Sequence, residues 1–250
     1  MTRVPTPANV SERRASAPRV SATVLVVRDD PFEVLMVSRA ARGAFPSALV
    51  FPGGVIDPDD GDDAWREVVD DFDDVDHGER ALRIGAVREV WEETGILIGQ
   101  HRAPARNGQP FREALDLASS RIRLDALTPF AHWITPDSEP RRYNTHFFLA
   151  VAPSGQEAVP DGGETLDSEW MSPAHAVELA QSGSRPIIFP TMLNLALLAE
   201  SAHSAEAIAS ARARPRVTVQ PDLTLGDDGR RRIVIPSEAG YGVTEWFDGR

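Results

Sequence analysis

Arg80 to Ile96, RALRIGAVREVWEETGI, is the stretch that most restricts what this chain can become. At 3.6 residues per turn, Glu89, Glu92 and Glu93 fall at i, i+3 and i+4 on one helix face, with Arg88 four residues before Glu92. Ile84, Val87 and Trp91 point the other way, so a helix here buries an apolar stripe and presents three carboxylates. Gly95 is its natural left-handed stop. Three like charges on one turn repel, and only Arg88 is within reach to pair them. Hard divalent cations want such oxygen clusters, and Mg2+ is commonly held by one or two carboxylates together with substrate phosphates. Taken alone, the same charges also read as a solvated acidic face.

The run Arg88-Glu89-Val90-Trp91-Glu92-Glu93-Thr94-Gly95-Ile96 resembles the second half of the Nudix box, the signature of the Nudix hydrolases, with every fixed position present. The first half of that box begins at a glycine, here Gly54 of Phe51-Pro52-Gly53-Gly54. The family separates this glycine from the arginine by fourteen positions. Gly54 and Arg88 are 34 apart, so about twenty residues are inserted inside the box. The family's early glutamate stands eight positions before the arginine. Glu79 stands nine before Arg88, so that role is not carried onto it.

The resemblance implies an α+β fold, an α/β/α sandwich around a mixed sheet. It also implies water attack on a nucleoside-diphosphate-linked pyrophosphate, with Mg2+ or Mn2+ as cofactor. Residue by residue, it implies metal ligation by Glu89, Glu92 and Glu93 with the Gly54 carbonyl, and catalytic roles for Glu92, Glu93 and Arg88, the arginine orienting a glutamate. Many members add a glutamate from a late loop. Glu164, six residues before Trp170, is the candidate, with Glu139 and Glu169 as alternatives. Glu169 is the weaker, because neighbours in a strand face opposite sides.

Outside the box, Leu35-Met36-Val37-Ser38-Arg39, Phe45-Pro46-Ser47, Val50 to Val55, Trp133-Ile134-Thr135-Pro136, Arg141 to Phe148 and Pro190-Thr191 resemble the peroxisomal coenzyme A diphosphatase subgroup, whose box is interrupted. The likeness covers roughly residues 20 to 200. It implies cleavage of coenzyme A or an acyl derivative to 3′,5′-ADP and (acyl)phosphopantetheine, with Arg39, Arg42, Phe51, Gly53, Arg141 and Arg142 at the substrate. Arg39, Arg42 and Gly43 match the subgroup's coenzyme A signature loosely, so ADP-ribose, NADH and dinucleoside polyphosphates stay as alternatives.

Composition narrows the chemistry. There is no cysteine, which excludes disulfides, thiol nucleophiles and cysteine-held zinc. No lysine occurs either, so Schiff bases and the P-loop lysine are absent. A Nudix-fold isomerase would want cysteine. A Nudix-fold sensor would tend to lose box glutamates that are intact here. The six histidines show no zinc spacing. The net charge is −12, but Asp57 to Asp76 holds eleven acidic residues and one arginine, so the acidity belongs to the insertion.

Along the chain, residues 1–19 read as a disordered leader and 20–202 as the hydrolase domain, with 57–79 as an acidic insertion. Trp65, Val68, Val69 and Phe72 recur at i, i+3, i+4 and i+7, which predicts an amphipathic helix docked on the domain. Strands are expected at 22–27, 32–38, 48–51, 127–134, 145–152 and 168–171, and further helices at 111–120, from Pro173 and at 190–202. Residues 203–250 read as a strand-like extension in which 217–219 and 223–225 pair with 232–235 about Asp227-Asp228-Gly229. No run approaches a membrane span. The expected protein is soluble and cytoplasmic, takes a small-molecule nucleotide substrate, and engages no nucleic acid and no membrane; homodimerisation is left open.

Overall fold

Val24 to Val27 alternate between two faces, and all four are fully buried, which is what a central strand between two layers requires. In the computed structural model, which describes residues 16–39, 47–226 and 229–248, they lie in β1 (Arg19–Arg28). A hairpin leads to β2 (Glu33–Arg39), followed by β3 (Leu49–Val50) and β4 (Gly53–Val55). After the insertion come α1 (His77–Thr94), α2 (Phe111–Leu117), β5 (Thr128–Ile134), β6 (Tyr143–Val151) and β7 (Thr165–Met171). Three helices follow, α3 (Pro173–Gln181), α4 (Phe189–Leu198) and α5 (Ser204–Ala213). The chain ends in β8 (Thr218–Val219), β9 (Asp222–Leu225), β10 (Arg231–Val234) and β11 (Glu245–Asp248).

The main sheet runs β3-β2-β1-β6-β5-β8, with β4 added to β1 and β7 to β2. It is mixed: β1 and β6 are parallel, as are β5 and β8, and the other pairs are antiparallel. Ala22, Val24 and Val26 meet Ile84, Val87 and Trp91 of α1 on one face. Leu25, Val27 and Met36 meet Met192, Leu195, Ala207 and Ala211 of α4 and α5 on the other. The result is the expected α/β/α sandwich.

Several local expectations change. The insertion buries Trp65, Val68, Val69 and Phe72 as its periodicity demands, but not on an α-helix. It folds as two 3₁₀ turns, Pro58–Gly61 and Asp63–Glu67, and then a β-bridge between Val69 and Ile122. Aspartate side chains hold these turns in place: Asp62 caps the second by accepting from Ala64, and buried Asp71 accepts from Leu124 and Asp125 across the fold. Trp65 stacks obliquely on Phe111, which in turn meets Trp91, so the insertion is welded to the back of α1.

Residues 1–15 of the expected leader lie outside the described residues. The Ser16 carbonyl already accepts from Arg142, and Arg19 opens β1. At the other end, α5 is a helix where strands were expected, and Thr218–Val219 pairs with β5 in the main sheet rather than with the terminal hairpin. β9, β10 and β11 form a separate three-stranded sheet. The expected Asp227-Asp228 turn lies outside the described residues.

Candidate active site

The helix α1 starts at Asp76, whose carboxylate accepts from Gly78, and stops at Gly95 with φ 76°, its N–H bonded to the Trp91 carbonyl at 2.8 Å. Between these ends, Arg88 organises the acidic face. Its Nε and Nη2 clasp Asp60 at 2.9 and 2.8 Å, Nη2 also reaches the Val55 carbonyl at 3.1 Å, and Nη1 donates to Glu89 Oε1 and Glu92 Oε2 at 2.9 Å each. Asp57 Oδ2 is 3.6 Å from Nη2. One guanidinium thus joins the helix, strand β4 and the Pro58–Gly61 turn after it.

Sequence reading missed Asp60, the most buried carboxylate of this group, with 2% of its side chain exposed. A signal was available. An early acid eight positions before the arginine, in a box whose glycine is fourteen before it, lies six after the glycine, and Asp60 is six after Gly54. The insertion therefore follows this acid, and counting back from Arg88 led to Glu79 instead. Glu79 in fact pairs with Arg83 and Arg216.

Glu93 turns away from Arg88. It is buried, and its Oε2 accepts the Gly53 N–H at 2.9 Å. Gly53 faces Thr23 and Gly54 faces Ala22 across the β1–β4 ladder. Bonds from Val24 N–H to the Pro52 carbonyl and from Ile56 N–H to the Val20 carbonyl bracket these residues. The alternation of an antiparallel ladder then makes Ala22–Gly54 a hydrogen-bonded pair and leaves the Gly53 amide pointing outward, where Glu93 takes it. The Gly54 carbonyl accordingly has one lone pair, at most, for any further ligand. Gly53 is required by the backbone, whereas a side chain at Gly54 would displace the Glu89 carboxylate. Gly53 has φ 148° with the Ala22 carbonyl oxygen 2.4 Å from where a Cβ would stand, and a Cβ on Gly54 would lie 2.4 Å from Glu89 Oε2.

Burial raises Glu89 to about 7, against the pull of Arg88 and with help from Glu92 and Asp60. Burial raises Glu92 too, again opposed by Arg88. Desolvation works against the Arg88 charge, but Asp60, Glu89 and Glu92 outweigh it and hold the guanidinium above its ordinary value. Asp57, Asp60, Glu89 and Glu92 gather around the one guanidinium of Arg88. Among the described residues no three His, Asp or Glu side chains stand arranged to hold a metal as they are, because Arg88 occupies the space between Glu89 and Glu92 and Glu93 is held by Gly53. The donor set nevertheless fits a hard cation: all are oxygens, they are in excess of local positive charge, and Glu89 needs a proton or a cation to balance it.

The remaining expected site residues scatter. Phe51 is 2% exposed and packs edge-to-face on Phe147 in the core, so it presents no face to a ligand. Arg142 is buried as well, its guanidinium spent on the Thr135 and Ser16 carbonyls and on Asp137, which corrects its reading as an anion contact. Arg141 beside it is exposed. Arg39 ends β2 opposite Thr165, and Arg42 lies outside the described residues. Glu164 is exposed next to Thr165, at the same end of the β2–β7 pair, with its N–H on Asp161. Among the alternatives, Glu139 pairs with Arg231 and Glu169 with Arg185.

Residues 17–189 match the family described as the NUDIX domain, and the chain belongs to that family. A solved structure of a NUDIX hydrolase from Alicyclobacillus acidocaldarius superposes with a TM-score of 0.67 at 27% identity, covering 78% of this chain and 96% of that one. Curated relatives include the acyl-coenzyme A diphosphatase NUDT19 of Homo sapiens, 28% identical over 206 residues, or 59% of this chain and 55% of the relative. The NUDT19 of Xenopus laevis is 24% identical over 206 residues, 59% of this chain and 54% of its own. The chain thus spans a little over half the length of these two relatives.

Proposed function

We propose that the protein is a divalent-metal-dependent pyrophosphohydrolase that cleaves coenzyme A or acyl-coenzyme A to 3′,5′-ADP and (acyl)phosphopantetheine. The observation that carries the reaction class is the cluster of four carboxylates, Asp57, Asp60, Glu89 and Glu92, around the guanidinium of Arg88 on a family-matched helix, with Glu89 held protonatable near neutrality. Support for the substrate comes from the acyl-coenzyme A diphosphatase relatives and from the interrupted box.

Glu89, Glu92 and Glu93 are the residues that would hold Mg2+ or Mn2+, with the spare lone pair of Gly54. Such an ion, when bound, neutralises charge developing on phosphate oxygens and lowers the pKa of water. The protein supplies orientation. Asp60 fixes Arg88, Arg88 fixes the rotamers of Glu89 and Glu92, and the Gly53 amide fixes Glu93. In this reading Arg88 is the positioning residue, and Glu92, the most open of the three, is the carboxylate nearest solvent for accepting a proton from water. Glu164 and Arg39, at the shared end of β2 and β7, are the proposed late-loop base and substrate contact. Arg141 is an exposed further contact for phosphate.

The test is mass identification of products after incubation with Mg2+ or Mn2+ and coenzyme A, acetyl-coenzyme A, ADP-ribose, NADH or diadenosine polyphosphates. 3′,5′-ADP from the coenzyme A compounds is the expected outcome. AMP from ADP-ribose or NADH would keep the reaction class and overturn the substrate. Saturable binding with no turnover of any of them would point to a sensor.

A further inference from the structure

At the far edge of the sheet a cavity of about 190 Å³ opens between the first turns of α1, strands β5 and β6, and the segment that leaves α5. Leu82, Phe130, Phe148, Leu197 and Tyr241 give it apolar walls. The Tyr241 ring is fixed there, since its hydroxyl accepts from the Trp133 indole at 2.8 Å and donates to Asn194 Oδ1 at 2.7 Å. Glu79 lines this cavity and lies ten to fourteen residues before Glu89, Glu92 and Glu93. At 1.5 Å per residue that is roughly 15–21 Å along α1, so the cavity is separate from the carboxylate site.

Its charges do not cancel. Arg214, Arg216 and Glu79 are the charged residues lining it, a balance of +1 in a chain of net charge −12. Glu79 is already committed, Oε2 to Arg83 and Oε1 to Arg216 at 3.0 Å. Arg214 has no ion-pair partner among the described residues. Its guanidinium lies over the Phe130 ring, 4.6 Å from the centroid, and makes one long contact of 3.5 Å to the Phe130 carbonyl. A guanidinium carries five donors in a planar fork that matches an oxyanion, and among the described residues only the Phe130 carbonyl accepts from this one. Burial disfavours the Arg214 charge, so a bound anion would relieve it.

The floor beside it is polar. His132 and His146 stack at 4.1 Å, with His132 bonded to Thr218 at 2.8 Å and Asn144 at 2.5 Å. Burial and the neighbouring His132 push His146 down to about 4, so its ring is neutral at pH 7 and offers a donor or an acceptor without charge.

We propose that this cavity is a second ligand site for a small amphipathic oxyanion, with a carboxylate or phosphate monoester on Arg214 and a one-ring apolar body against Phe130 and Tyr241. The size suits this: an apolar cavity of about 150 Å³ accepts benzene, and the remaining volume takes the anionic group. The bidentate match of guanidinium to oxyanion fixes the head, and ring burial supplies the apolar share of affinity.

The experiment is isothermal titration of the full chain at pH 7 in chelator with benzoate, phenyl phosphate and inorganic phosphate as probes. Saturable one-to-one binding of benzoate or phenyl phosphate is expected, with inorganic phosphate at least about tenfold weaker, and whichever ring probe binds tighter names the head group. Arg214→Met and the cavity-filling Ala131→Leu should each weaken that binding at least about tenfold, while Glu92→Gln binds as the parent does. Should Arg214→Met fail to fold, Ala131→Leu decides. No saturation of either ring probe by about 10 mM overturns the site, as does binding that survives both variants or is lost in Glu92→Gln.

Discussion

Asp60 and Arg88 form a buried two-pronged ion pair, Nε to Oδ1 at 2.9 Å and Nη2 to Oδ2 at 2.8 Å, between the Pro58–Gly61 turn after β4 and the middle of α1. The point from which the insertion departs is therefore tied directly to the residue that aims the carboxylates. Removing one partner of a buried pair leaves the other charge poorly compensated, at a cost of about 3–5 kcal/mol. Arg88 retains Glu89 and Glu92, so Asp60→Ala should fall at the low end of that range. Thermal unfolding measures the loss, and turnover should fall with it because the rotamers of Glu89 and Glu92 loosen. An Asp60→Ala variant with parental turnover would remove the positioning role.

Gly54→Ala tests the close approach of strand and helix. The new methyl would stand 2.4 Å from Glu89 Oε2, so the carboxylate must move. Turnover should drop by about tenfold or more, equivalent to roughly 1.4 kcal/mol in the transition state. The change in unfolding temperature should be small beside that of Asp60→Ala.

Glu92→Gln should abolish metal-dependent turnover and leave the fold intact, since the Glu92 side chain is 41% exposed and its loss opens no cavity. Circular dichroism and a turnover assay on one preparation separate the two effects. Retained activity would remove Glu92 from the metal site.

Glu89 makes the metal-free protein sensitive to pH. Its carboxyl is raised from an ordinary 4.5 to about 7, so the folded state binds this proton more tightly than the unfolded chain does. That contribution to stability is fully present below about 4.5 and is lost as pH rises through about 7. Unfolding in chelator should show the parent losing about 1–3 kcal/mol relative to Glu89→Gln between pH 5 and pH 8. A difference that stays flat over that interval contradicts the raised carboxyl.

Trp65→Ala probes the welding of the insertion. Trp65 is 5% exposed, tilts on Phe111 at 5.9 Å and donates its indole N–H to the Asp59 carbonyl at 2.7 Å. The expected loss is about 3–5 kcal/mol by chemical denaturation. Because Asp59 adjoins Asp60, turnover should fall as well.

Periodicity and spacing within one short stretch settled a good deal. The pattern of Arg80 to Ile96 determined the helix, its glycine stop, its buried stripe and the shared face of Glu89 and Glu92 with Arg88, because contacts three and four residues apart follow from helical geometry alone. The apolar spacing of Trp65, Val68, Val69 and Phe72 correctly predicted burial, yet not conformation. Burial depends on which side chains can leave water, whereas the conformation depends on partners more than fifty residues away, the Ile122 backbone that bridges Val69 and the Leu124 amide that Asp71 accepts from. Tertiary structure alone decided that Asp60 is the partner of Arg88, that Glu93 answers to Gly53, that Phe51 and Arg142 are spent inside the fold, and that β8 completes the main sheet. Each of these is a contact between residues far apart in the chain, fixed by how strands and helices stack, and local propensity carries no information about it.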